Sequence, residues 1–187
     1  MYDIHRILRS AQEGDVQAAQ QLTEMLYDEL RELARRALAS ERPNHTLQPT
    51  ALVNEAYLRL VTGKDSTFAD RESFFAAAAT AIRRVLVDHS RKRASQKRGG
   101  GMLRVPLDGL NLEQPLADED VLELDSALLR LAQFDPVKAR IVELRFFAGL
   151  TEQEVVKVMG ASESTIRREW RTARAWLRSQ LDQSHED

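Results

Sequence analysis

An all-α fold of two small helical units joined by an extended acidic linker is predicted by three observations. Apolar residues recur at helical spacing over most of the chain, no stretch reads as a strand, and one irregular, Pro- and Gly-containing segment breaks the periodicity. The units are expected at residues 1–98 and 122–187, with the linker at 99–121. With 187 residues and a hydrophobic content of 43%, the chain can fill two modest cores.

Taken in order, Ile4 to Ala11 reads as a short helix. Asp15 then caps a long one that runs to Ala39, with Ala18, Leu22, Met25 or Leu26, Leu30, Leu33 and Ala37 near helical period. Pro43 to Pro49 interrupts the pattern, and Pro49 or Thr50 opens the next helix, since proline is tolerated in a first turn. That helix is expected to end near Val61, before a polar loop through Asp70 that contains one aromatic residue, Phe68. From Arg71 to about Arg93 the spacing predicts another long helix, whose front half is small and apolar at Ala76 to Ala79 and Ala81. Its back half is basic. Gly99 to Gly101 ends helical order because three consecutive glycines carry a large backbone-entropy cost, and no periodicity persists past Pro106 and Pro115. A second helical block begins near Val121, with one helix around Asp125 to Ala132 and another from Pro136 to Phe147.

The last quarter reads as two short helices hinged at a glycine. Thr151 and Glu154 have the spacing of a capping box, Gly160 suits the left-handed residue that closes a helix, and Ser162 can cap the next one. In that closing helix Ile166, Trp170, Ala173, Leu177 and Leu181 form one apolar stripe. Arg167, Arg168, Arg171, Arg174 and Arg178 fall mostly off it, with Glu163, Ser164 and Thr165 at the amino end, where a recognition helix meets base edges. Solvated arginine faces are common, so it is the surrounding turn grammar that favours a helix-turn-helix.

Composition narrows the chemistry. There are no cysteines, which excludes disulfides, thiolate metal sites and cysteine nucleophiles. The four histidines, His5, His45, His89 and His185, have no helical metal-ligand spacing. No phosphate loop, paired-carboxylate metal set or Ser/His/Asp arrangement stands out, so neither an enzyme nor a cofactor is expected. The longest apolar run, Phe74 to Ile82, is too short to span a bilayer, and the amino terminus lacks the apolar core of a secretory signal. A formal net charge of −2 hides strong segregation: Arg83 to Arg104 holds eight basic residues and one acid, and Pro106 to Asp125 holds seven acids and no Lys or Arg. A basic block followed by an acidic one is expected to give a DNA-facing surface next to a segment that lies where nucleic acid would otherwise be.

The order of helices, the segment Leu52 to Leu60, the segment Val87 to Arg93 and the closing helix-turn-helix together resemble the extracytoplasmic-function (ECF) group of bacterial RNA polymerase sigma factors. Leu47 to Val53, Phe74 to Ala79 and Arg93 to Gly100 look like the ECF-like subgroup abundant in planctomycetes. The resemblance covers nearly the whole chain. It implies a sigma-2-like bundle and a sigma-4-like helix-turn-helix unit that bind core RNA polymerase, through the beta-prime clamp and the beta flap, and direct it to promoter DNA in the cytoplasm. It leaves room for an anti-sigma protein.

Carried over by position, the resemblance assigns Leu52, Asn54, Glu55, Leu58 and Arg59 to the polymerase interface. Recognition and melting of the −10 element fall to Lys64, Asp65, Ser66, Thr67 and Phe68, then to Arg83, Arg84, Asp88, His89, Arg91, Lys92 and Arg93. Reading of the −35 element falls to Ser162, Ser164, Thr165, Arg167, Arg168 and Arg171. Two departures from the pattern stand out. The tryptophan common in the basic helix of ECF proteins is absent, with Phe74 and Phe75 nearby, and Val155-Val156 replaces the usual isoleucine-alanine. A polymerase-independent operator binder using the same helix-turn-helix remains the alternative, although no sustained heptad for dimerisation is visible.

Overall fold

The computed structural model describes residues 7, 10, 13–39, 47–62, 70–96 and 118–183. Seven helical elements follow among them: α1 (Val16–Ala39), α2 (Pro49–Thr62), α3 (Arg71–Gln96), α4 (Asp118–Phe134), α5 (Pro136–Val142, continued by a π-helical turn over Glu143–Phe147), α6 (Glu152–Met159) and α7 (Glu163–Gln183). No strand occurs among the described residues. Of the short amino-terminal helix only Ile7 and Ser10 are among them, both helical, and most of the linker and the triple glycine fall outside them.

Local side chains start these helices as the sequence predicts. The Asp15 carboxylate accepts from the amides of Gln17 (2.9 Å) and Ala18 (3.1 Å) at the head of α1. At α3, the Ser73 amide donates to Asp70 Oδ1 (2.7 Å), and the Asp70 amide donates to the Ser73 hydroxyl (3.2 Å). Asp135 caps α5 by accepting from the Lys138 amide at 2.9 Å, and Pro136 follows in the first turn, where its missing N–H costs nothing.

Two boundaries differ from expectation. Helix α4 begins at Asp118, so residues 118–121, assigned to the linker, are helical. Asp118, Glu119 and Asp120 are residue types that the positive end of a helix favours, so an acidic run suits a helix start as well as a linker. The expected helix from Pro136 to Phe147 widens into a π turn over its last five residues, with Ala148 N donating to Glu143 O at 3.3 Å. That turn brings Glu143, Leu144 and Phe147 all inward.

Helix α3 is the centre of the molecule. One side packs on α2, and the other packs on α4 and on the π turn. Ala78 and Ala79 are fully buried and let neighbouring helices approach, while Phe74, Phe75, Ile82 and Val85 fill the space between them. Burying a side chain of this size contributes roughly 1.5–3 kcal/mol each. Phe74 and Phe75 are therefore core residues and not aromatics offered to DNA.

The apolar cluster is continuous from Leu30 and Leu33 of α1 to Ile166 and Leu177 of α7, so the helices on either side of the linker pack together. Ion pairs reinforce this. Arg36 of α1 reaches Glu154 of α6 at 3.0 Å, and Arg83 of α3 reaches Asp125 of α4 at 2.7 Å.

Candidate nucleic-acid interface

The hinge between α6 and α7 is built by local hydrogen bonds. The Thr151 hydroxyl accepts from the Glu154 amide (3.2 Å), and the Glu154 carboxylate accepts from the Thr151 amide (2.7 Å), closing the predicted capping box. Burial pushes the Glu154 carboxyl up, but hydrogen bonds from Thr151 and Arg36 outweigh it and hold it below the usual carboxylate range. Because its folded value lies below the unfolded one, this stabilisation is present at neutral pH and is lost as pH falls through the folded value. Thr151→Ala is expected to cost about 1 kcal/mol, read as a drop of about 2–4 °C in the unfolding midpoint.

Gly160 closes α6 at φ 61°, in the left-handed region that a glycine adopts without Cβ strain. The Ser162 hydroxyl then accepts from the Thr165 amide at 3.2 Å. It also lies 3.0 Å from the Ser164 hydroxyl and 2.8 Å from that of Thr165. Three hydroxyls thus cluster at the amino end of α7.

Ile166, Ala173, Leu177 and Leu181 are buried along the predicted stripe, and Trp170 and Trp176 pack partly buried against the core. Val155 is buried and Val156 packs half-buried against the same core, so the larger residue is absorbed by the helix-turn-helix. Trp170 is flanked by two guanidinium groups, Arg145 at 5.3 Å and Arg174 at 5.8 Å from the ring centre. Burial pushes the Arg145 guanidinium below its ordinary value.

The polar face of α7 is exposed over Ser162, Ser164, Arg167, Arg168 and Arg171, with Thr165 half-buried. Arg167 is tied to Glu152 of α6 (2.9 Å) and to Glu163 (2.5 Å), and Arg168 pairs with Glu169 (2.8 Å). Arg171 forms no ion pair with a described residue. With Arg167, Arg174, Ala175 and Arg178 it lines an open groove of about 370 Å³ whose charged side chains are all cations.

The second expected surface is divided. Lys64, Asp65, Ser66, Thr67 and Phe68 lie outside the described residues. Arg84, Arg91 and Lys92 are exposed on α3, and Asp88, His89 and Arg93 are half-buried. Arg83 faces inward. Its side chain is 16% exposed, held by Asp125 at 2.7 Å and by Glu143 at 3.3 Å. Arg91 extends the pairing to Asp125 at 3.6 Å, and Asp88 accepts from Arg59 at 2.9 Å. These residues border a cleft of about 480 Å³ between α2, α3 and α4.

On α2, Asn54, Glu55 and Leu58 share one exposed face, as the three- and four-residue spacing requires. The Tyr27 hydroxyl donates to Asn54 Oδ1 at 3.0 Å. Arg59 is half-buried through its pair with Asp88. Leu52 has no exposed surface at all, so it belongs to the bundle core and leaves the expected polymerase interface. The reason is geometric: Leu52, Ala56 and Leu60 repeat at four residues along the face that packs inward.

A helical bundle with an exposed polar face, linked to a capped helix-turn-helix with a cationic outer face, defines a DNA-binding transcription protein. The sequence profile of the ECF sigma factors matches residues 1–183, and the chain belongs to that family. It is a sigma factor, acting with RNA polymerase in promoter recognition and transcription initiation. Members of the family are transcription regulators. No individual curated protein matches the chain. Among the described residues, no helix is long and apolar enough to cross a membrane.

Sequence reasoning missed the groups that join distant segments. Asp125 and Glu143 were read as part of an acidic run and of a helix interior, yet both are buried partners of Arg83. Glu152 and Arg36 carried no signal in the sequence, because each has a partner in another helix.

Proposed function

We propose that the amino end of α7 reads the upstream promoter element, while the exposed face of α2 docks on the beta-prime clamp of core polymerase. The observation that carries the first assignment is the groove lined by Arg167, Arg171, Arg174 and Arg178, whose charged side chains are all cations, on the same helix that three clustered hydroxyls open. An arginine reading guanine bidentately contributes roughly 1–3 kcal/mol of discrimination, and neighbouring cations hold phosphates. The second assignment is supported by Leu58, a leucine 57% exposed between polar Asn54 and Glu55.

Exposed Phe134 and Val137 at the corner of α4 and α5 form a further apolar surface, suited to the beta flap. The segment 64–68 and the cations Arg84, Arg91, Lys92 and Arg93 of α3 serve the downstream element, with Asp88 and His89 among them. Arg83 joins that surface only after both α4 and the π turn move off α3, since its donors are engaged by Asp125 and by Glu143. The protein works in the cytoplasm, where the polymerase is, and an anti-sigma partner is compatible with either exposed surface.

The test is in vitro transcription with core enzyme on a promoter library. Arg171→Ala is expected to lower initiation at selected promoters about tenfold or more while leaving core binding unchanged. Leu58→Glu is expected to weaken core binding in a protein whose helicity is unchanged. Equal loss of core binding in Arg171→Ala, or unchanged affinity in Leu58→Glu, would overturn the corresponding assignment.

A further inference from the structure

Arg167, an outward arginine of α7, is tied across the turn to the preceding helix. Glu152 Oε1 accepts from both Nε (3.2 Å) and Nη2 (2.9 Å) of its guanidinium, gripping one side edge of the planar group. Glu163 Oε1 accepts the remaining Nη2 hydrogen at 2.5 Å, and Nη1 bonds no described residue. The two acids differ in kind. Glu152 belongs to α6, fifteen residues away in sequence, and its side chain is 26% exposed. Glu163 is one turn away on the same helix and 57% exposed, so water or a ligand can displace it. Hydrogen bonding and charge from Glu152 hold the Arg167 guanidinium above its ordinary value.

We propose that Glu152 is a positioning residue for promoter discrimination: it fixes the side edge of the Arg167 guanidinium and leaves the end edge, Nη1 and Nη2, pointing outward for guanine O6 and N7. This rests on the reading of the amino end of α7 as the upstream-element surface. Glu163 occupies part of the end edge in the free protein and gives way to the base acceptors. An arginine held on one edge loses less rotational freedom on binding and presents its fork in one orientation, so it rejects bases with the wrong acceptor pattern. A carboxylate near DNA that served no such purpose would only repel phosphates, and its removal would strengthen binding to every sequence alike. That contrast separates the two roles.

The experiment uses full-length protein with core RNA polymerase and a duplex promoter library randomised in the upstream element, read as relative initiation from each sequence. Arg167→Ala, Glu152→Ala and Glu152→Gln are compared, each checked for helicity. Arg167→Ala is expected to erase a guanine preference at one position. Glu152→Ala is expected to weaken that same preference roughly tenfold and to leave the other positions as they were. Glu152→Gln keeps an oxygen acceptor for Nε and Nη2 and is expected to retain most of the preference. A Glu152→Ala protein with unchanged preferences and uniformly stronger DNA binding overturns the proposal, as does an equal loss in Glu152→Gln, which would assign the effect to charge. If Arg167→Ala leaves every preference intact, the surface assignment itself falls, and the positioning role with it.

Discussion

Arg83→Ala is expected to destabilise the protein by about 3–5 kcal/mol, because it leaves two buried carboxylates without their shared cation. Asp125 and Glu143 are each 6% exposed, on α4 and on the π turn, and Arg83 is the group that spans them. Arg140 still pairs with Glu143, and Arg91 lies 3.6 Å from Asp125, so some compensation remains. Removing one partner of a buried pair costs more than replacing the whole set, since the desolvation of the survivors is no longer offset. The unfolding midpoint should fall by about 6–20 °C. The companion variant Arg83→Ala/Asp125→Leu should recover part of that loss. A single-variant midpoint within 2 °C of the parent would show that the pair does not hold α3 to α4.

Gly149→Ala should be clearly more damaging than Gly160→Ala, although both glycines have left-handed backbones, at φ 64° and 61°. Each substitution pays the strain of a Cβ in that region, roughly 1–2 kcal/mol. At Gly160 a Cβ would meet nothing within 4 Å, so strain is the whole cost. At Gly149 it would lie 2.7 Å from Arg36 Cβ and 3.4 Å from the Arg36 carbonyl carbon, both part of the rigid body of α1. Overpacking of this kind adds about 1–3 kcal/mol. Chemical denaturation of the two variants checks the difference directly. Equal midpoints would mean that the turn after the π helix does not press against α1.

Both predictions concern contacts between segments far apart in the chain, and these are where sequence reasoning stopped. The capping box of Thr151 and Glu154, the left-handed Gly160 and the stripe from Ile166 to Leu181 all fall where the sequence places them. Each is set by groups three or four residues apart, whose geometry is fixed once a helix forms. The same periodicity places Asn54, Glu55 and Leu58 outward, but it also places Leu52 inward, against the assignment carried by resemblance. A family motif marks which residues matter without separating those that touch a partner from those that hold the helix. Burial does separate them.

The opposed charge blocks show the boundary of the sequence reading most clearly. Their existence and order were visible in the sequence. Their use was not: Asp125, the last acid of one block, closes on Arg83, the first cation of the other, inside the protein. Net charge along a segment describes its long-range field, whereas an ion pair needs two side chains brought within about 4 Å, which only packing supplies.

The sequence by itself determined an all-α chain, the caps and hinge of a helix-turn-helix, the cationic face of α7 and membership of the ECF sigma factors. Those follow from local spacing and from residue order. The tertiary structure alone decided that α3 is shared by both sets of helices, that Arg83 turns inward, that Leu52 is core, and that Glu152 grips Arg167 across the turn. Each of these depends on where a helix rotates and docks when apolar surface is buried, a quantity set by the whole chain and written in no single segment of it.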